Sequence, residues 1–184
     1  MPPPNLQPRR TLQLVQPSMW SGFRYTFLDA GGTPIGHLAH PNLGQARNAR
    51  LRFHPTGSSA GDIRLRLDGE HRVDFEYLSR GWVNDIRFRL LQGEEVLAHM
   101  DIHHLKGRRW PAITLQHGPL QAQLLRTGHW WRSAFELRDV ANGRLVLHMQ
   151  EPALIALRRR YHIEHDLPRP VVGLLCAVIT SLRL

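Results

Sequence analysis

Val171-Val172-Gly173-Leu174-Leu175-Cys176-Ala177-Val178-Ile179-Thr180-Ser181-Leu182 decides the fold of this 184-residue chain. Nothing charged lies between Arg169 and Arg183, and the apolar residues are not confined to one stripe. A helix that is apolar all round belongs either in a protein core or in a bilayer. Twelve helical residues rise about 18 Å, whereas the hydrocarbon slab is about 30 Å thick. The segment is too short to span and reads as a helix buried inside the fold. Pro168 and Pro170 suit a helix's first turn, where amide donors lack partners. Asp166 is expected to favour the positive end of the same helix, placed at about 168–183.

Everything before it reads as strands. Ile63-Arg64-Leu65-Arg66-Leu67 alternates strictly, Asp68-Gly69 suits a tight hairpin turn, and the return arm alternates through Val73, Phe75 and Tyr77. Opposite charges across this pair, among Arg64, Arg66, Arg72, Asp74 and Glu76, are expected to help fix its register. A looser hairpin recurs three times. Its first arms are Tyr25-Thr26-Phe27-Leu28-Asp29, Phe88-Arg89-Leu90-Leu91-Gln92 and Phe135-Glu136-Leu137-Arg138-Asp139. After a glycine turn, each returns through an apolar-x-His-apolar pattern carrying His37, His99 or His148. Further strands are expected around 12–15, 47–53, 112–116, 120–125 and 154–163, giving about a dozen in all.

An eight-stranded barrel is roughly filled by its own side chains, and diameter grows with strand number. About twelve strands leave room for one helix along the axis, and closure removes exposed edges. The sequence therefore predicts a mainly β fold, a closed antiparallel barrel of about twelve strands around a buried C-terminal helix. It would be a single domain over 11–184, preceded by a flexible, proline-rich tail over 1–10.

Three features resemble the tubby C-terminal-like superfamily, which includes LURP-one-related proteins and phospholipid scramblases. They are the repeated F-x-L-x-D hairpin, best seen from Phe135 to Met149, the late strand Arg160–Asp166, and the closing helix Leu167–Leu184. The resemblance covers most of residues 20–184 and implies a twelve-stranded barrel around a C-terminal helix. It also implies anionic-lipid binding, as tubby proteins bind phosphoinositides, without assigning a pocket to positions of this chain. The acidic calcium-binding segment and acylated cysteine cluster of scramblase-like members are not matched.

The net charge is +9, carried almost wholly by arginine, since Lys106 is the sole lysine. Such a balance favours polyanionic partners: an anionic membrane surface first, nucleic acid second. A protein-interaction scaffold, with its arginines as ordinary solvated strand faces, is the third reading. Two basic clusters stand out: Lys106, Arg108, Arg109 and Trp110 in a loop, and Arg158, Arg159 and Arg160 beside Tyr161. Arginine offers bidentate donors to phosphate, and tryptophan prefers the membrane interface. These seven residues are the candidate headgroup ligands. Trp130-Trp131-Arg132 could join them, although packing in the barrel wall is the simpler reading for the tryptophans.

Among the twelve histidines, His162 and Glu164 fall on one strand face and His165 on the other, which spoils a local metal site. No metal and no cofactor is expected. Phosphate-cradling glycine loops, nucleophile elbows and helical metal motifs are missing, so no residue is assigned a catalytic role and no enzymatic activity is expected. Cys176 is the single cysteine, and residues 1–10 lack the apolar core of a secretory signal. Both suit a cytoplasmic protein, peripheral to a membrane at most. The oligomeric state stays open.

Overall fold

The alternation of the sequence becomes twelve strands: β1 (Arg10–Val15), β2 (Arg24–Leu28), β3 (Pro34–Ala39), β4 (Ile63–Leu67), β5 (Glu70–Tyr77), β6 (Ile86–Gln92), β7 (Glu95–His103), β8 (Ala112–His117), β9 (Leu120–Arg126), β10 (Ala134–Asp139), β11 (Leu145–Gln150) and β12 (Arg160–His165). One helix follows, α1 (Arg169–Leu182). The computed structural model describes residues 9–16, 24–39, 63–78, 85–103, 111–128, 133–151 and 159–182. The expected strand over 47–53 and the first part of that over 154–163 lie outside the described residues. Each strand pairs antiparallel with its sequence neighbour, and β1 pairs with β12, so the sheet closes on itself.

Period-two patterning places one side of every strand inside. Leu12 and Leu14, Tyr25 and Phe27, Phe88 and Leu90, Phe135 and Leu137, and Tyr161 and Ile163 are buried. Arg64, Arg66 and Arg72 point outward and are exposed. An apolar interior inside a charged wall is the inverse of a membrane barrel, whose lipid-facing band is apolar. No helix among the described residues is long and apolar enough to cross a membrane.

The helix fills the interior. Every side chain from Val171 to Ser181 is buried, and α1 lies closest to β4, β6 and β7. Its fourteen residues rise about 21 Å, close to the roughly 20 Å of a six-residue strand. Helical pairing satisfies its mid-helix backbone donors and acceptors, as a dry interior requires, and at its start the Val171 and Val172 amides donate to the Pro168 carbonyl. The Thr180 hydroxyl does the same by donating to the Cys176 carbonyl at 2.7 Å. At Gly173 the helix approaches β4 so closely that an added Cβ would lie 2.5 Å from a Leu65 methyl. Asp166 departs from the expectation. It sits ahead of the helix, and its carboxylate accepts a hydrogen bond from Arg144 at 3.3 Å. The entry to α1 is held instead by Arg169, whose guanidinium donates to Asp68 at 3.1 Å.

The three recurring hairpins are β2–β3, β6–β7 and β10–β11, spaced four strands apart. Their inward pairs correspond: Tyr25 opposite Leu38, Phe88 opposite Met100, Phe135 opposite Met149. Each has a register shift at the same point, after Phe27, Leu90 and Leu137. Aspartate in the F-x-L-x-D arm closes the turn. Asp29 Oδ1 accepts from the Gly31 and Thr33 amides at 2.9 and 2.8 Å, and Asp139 Oδ1 from the Ala141 amide at 2.9 Å. Gly143, at φ 69°, takes the left-handed conformation needed to return the chain.

The β4–β5 hairpin closes with Asp68 and Gly69 both at positive φ. Its register differs from the complementary pattern expected. Arg66 stands opposite Glu70, but Arg64 stands opposite Arg72. Asp74 and Glu76 turn to Arg89 of β6 instead, at 2.9 and 3.5 Å.

A helix that plugs the barrel is indispensable to it. Deleting residues 171–184 is expected to abolish the cooperative unfolding transition, read by far-ultraviolet circular dichroism. Gly173→Leu, which drives a side chain into Leu65, is expected to cost about 1–3 kcal/mol in urea unfolding. A soluble, folded truncation would disprove the plug.

Candidate functional site

In a closed meander of antiparallel strands, connections alternate between the two rims. One rim holds the short turns 29–33, 68–69, 93–94, 118–119 and 140–144, and the segment 166–168 that leads into α1. The longer connections 16–23, 40–62, 78–85, 104–111, 127–133 and 151–159 all leave and rejoin the barrel at the other. This parity sorts the charge of the chain. The short-turn connections carry four acids, Asp29, Asp68, Glu94 and Asp166, against Arg144. The longer connections carry ten basic residues against three acidic, a net +7 out of +9. They also contain all five tryptophans, Trp20, Trp82, Trp110, Trp130 and Trp131.

The two basic clusters therefore belong to connections at one rim, 104–111 and 151–159, separated by the four strands β8–β11. Lys106, Arg108, Arg109, Trp110 and Arg158 lie outside the described residues, as do Trp130, Trp131 and Arg132. Arg159 and Arg160 are described, and they part company. Arg160 is exposed on the outer wall at the start of β12. Arg159 is half-buried and hydrogen-bonds Tyr161, the buried tyrosine that begins the inward face of β12. Burial raises the Tyr161 hydroxyl above its ordinary value, with Arg159 opposing. Burial likewise raises Glu151, again opposed by Arg159. Arg159 thus serves a polar cluster at the rim as well as lying beside Arg160.

The outer wall holds charges of two kinds. On β5–β7 they are matched. Arg87 donates twice to Asp101 at 2.7 and 2.8 Å, and Arg89 twice to Asp74 at 2.9 and 3.0 Å. Hydrogen bonding to Arg87 holds the Asp101 carboxyl below its usual range and raises Arg87 in turn. His103 Nδ1 lies 3.0 Å from Asp85. On β2–β5, by contrast, Arg24, Arg64, Arg66 and Arg72 are exposed and take part in no ion pair among the described residues. The sequence reading missed this contrast, because Arg64 and Arg66 look like any wet strand face until register shows what stands opposite them.

The histidines divide between wall and interior. His37, His99 and His148 occupy equivalent outward positions in the three hairpins, opposite Thr26, Arg89 and Glu136. His165 is wholly buried. Its Nδ1 donates to the Leu167 carbonyl at 2.8 Å, which fixes the neutral tautomer, and Nε2 has no partner among the described residues. Among the described residues, no three histidine, cysteine, aspartate or glutamate side chains converge to hold a metal ion. Burial pushes the Cys176 thiol up, away from the reactive thiolate.

No known family profile, no curated protein and no solved structure matches the chain.

Burial lowers the His165 pKa, with the Leu167 hydrogen bond opposing. The neutral ring therefore stabilises the fold at neutral pH, and that stability drains away as pH falls below about 6.5, the unfolded value. Asp101 acts in a separate window, its stabilisation lost only below its unfolded value of 3.8. Urea-unfolding midpoints measured from pH 8 to pH 4.5 are expected to fall below pH 6.5. His165→Gln, which keeps a donor for Leu167, is expected to flatten that decline. An unchanged slope in the variant would clear His165 of the effect.

Proposed function

We propose that this protein is a non-enzymatic, cytoplasmic binder of anionic membrane surfaces, engaging lipid headgroups through the rim of longer connections. The observation that carries this reading is the parity of the meander. It assigns to the connections of one rim a net +7 and every tryptophan, and to the turns and helix lead-in of the other a net −3. Charge divided this way along the barrel axis orients the molecule as it approaches a negative surface. Arginine supplies bidentate donors to phosphates, and tryptophan settles at the headgroup level. Lys106, Arg108, Arg109, Trp110, Arg158 and Arg160 are the proposed headgroup contacts, with Arg159 shared between this surface and Tyr161. The resemblance to the tubby-like superfamily supports the same class of ligand, and the single buried thiol suits a reducing compartment.

Nucleic acid offers phosphates too, but single-stranded binders stack bases on exposed aromatics. Here Tyr25, Phe27, Phe88, Phe135 and Tyr161 all lie inside the barrel, which leaves stacking to the tryptophans of the longer connections.

Vesicle flotation decides between these partners. At physiological salt the protein is expected to float with phosphatidylserine-containing vesicles and to remain at the bottom with pure phosphatidylcholine. Replacing Lys106, Arg108 and Arg109 by Gln should weaken recovery by about 1 kcal/mol per residue. Equal recovery with neutral vesicles overturns the proposal. Salt-dependent retention of RNA or DNA on a filter, without flotation, reassigns the surface to nucleic acid.

A further inference from the structure

Arg64 of β4 and Arg72 of β5 are directly opposite each other on the outer wall. Opposed side chains in an antiparallel pair have Cβ atoms about 4.5–5.5 Å apart, and like charges there are destabilising. Arg66 follows two residues along β4, and Arg24 lies in the same cross-strand row as Arg64, with Ala39 between them. Elsewhere on the wall Arg87 has Asp101, Arg89 has Asp74 and Arg138 has Glu136, and in the β10–β11 turn Arg144 has Asp166, whereas Arg160 at the start of β12 is exposed without an ion pair among the described residues. The described outward acids of β5 are Glu70, opposite Arg66 at the turn end, and Asp74 and Glu76, both taken up by Arg89. Folding gains nothing from the Arg64–Arg72 apposition, so the pair calls for an anion from outside.

We propose that the outer wall of β2–β5, centred on Arg64 and Arg72, is a docking surface for anionic lipid headgroups, so that the barrel lies partly on its side against the membrane. This rests on the reading of the protein as a binder of anionic surfaces and adds which side of the barrel faces them. Position supports it. Arg24 begins β2 and Arg64 is the second residue of β4, so both lie at the strand ends that face the basic rim. The form of the surface supports it as well. It is a strand face of arginines without an aromatic platform, suited to a layer of phosphates and unsuited to stacking single-stranded bases. Two guanidiniums at this separation can bracket one phosphate or bridge two neighbouring headgroups.

The experiment compares Arg64→Gln/Arg72→Gln with Arg138→Gln/Arg144→Gln in the full chain. The second pair removes the same charge from β10 and its turn, on the opposite side of the twelve-stranded wall. Affinity for phosphatidylserine–phosphatidylcholine vesicles is titrated at several salt concentrations. The wall variant is expected to bind about thirtyfold more weakly, as removal of two basic residues near an anionic surface implies, and with a shallower salt dependence. The control should change by less than threefold. Thermal unfolding of the wall variant should occur at the same temperature or higher, because a repulsion has been removed. Equal losses in the two variants would reduce the effect to net charge and overturn the proposal. So would unchanged vesicle binding by the wall variant, or a melting temperature lowered by several degrees, which would mark the pair as structural. If the unaltered protein binds no anionic vesicles, the broader functional reading fails and this surface fails with it. If the unaltered protein binds and only the rim substitutions weaken it, this surface alone is disproved.

Discussion

Twelve strands enclose more volume than their inward side chains can fill, and α1 makes up the difference. That constraint governs the rest of the chain. The filling element must be apolar on all sides, because every direction from its axis meets the sheet. It must have about the height of the wall, because a longer apolar segment would protrude. It must also come close to β4 at Gly173, where a side chain would hold the two apart. The place of entry is fixed as well. Segment 166–168 crosses into the interior at the short-turn rim, clasped by Arg169 on Asp68 and followed by a first turn in which the Val171 amide donates to the Pro168 carbonyl. That rim carries the tight turns and the way into the core, leaving the opposite rim free to carry long connections.

Closure depends on repetition. The hairpins β2–β3, β6–β7 and β10–β11 share an inward pair of one aromatic and one aliphatic residue and a register shift at matching positions, and each turns through a glycine at positive φ. A bulge bends a strand and increases its local twist. Placing one in every fourth strand spreads curvature evenly around the barrel, which a closed sheet needs. The repeated outward histidines follow from the same device, as the next residue along a strand whose neighbours must face the core.

The sequence was legible wherever one residue's environment follows from its near neighbours. Alternation at Ile63–Leu67 and the F-x-L-x-D arms marked strands and turns, and the uncharged run from Val171 marked the plug. What depends on pairing partners was not legible. Arg64 and Arg66 read as an ordinary solvated face next to Arg72, Asp74 and Glu76. Only the register reveals that Asp74 and Glu76 belong to Arg89, leaving Arg64 against Arg72. Asp166 was similarly misjudged, because local spacing favours the helix end whereas Arg144 approaches from a turn 22 residues away. The basic clusters at 106–109 and 158–160 were visible as motifs. Their common rim was not, since it rests on an even number of strands between them, a property of the whole topology.

Two charge asymmetries then act at right angles. One runs along the barrel axis, from the acidic short-turn rim to the rim of basic and tryptophan-bearing connections. The other runs around the wall, from the arginines of β2–β5 to the matched pairs of β6 and β7. Either alone would leave an orientation undefined: an axial dipole permits any rotation about the axis, and a lateral patch permits either end to lead. Together they define a single edge of the barrel, where β2 and β4 meet the basic rim. An uncompensated charge costs stability in isolation and recovers it only against an opposite surface, so its concentration along one edge is better explained by an external polyanion than by folding. The matched arginines of β6 make the same point from the other side, because there the neighbouring strands β5 and β7 supply each of them with a carboxylate.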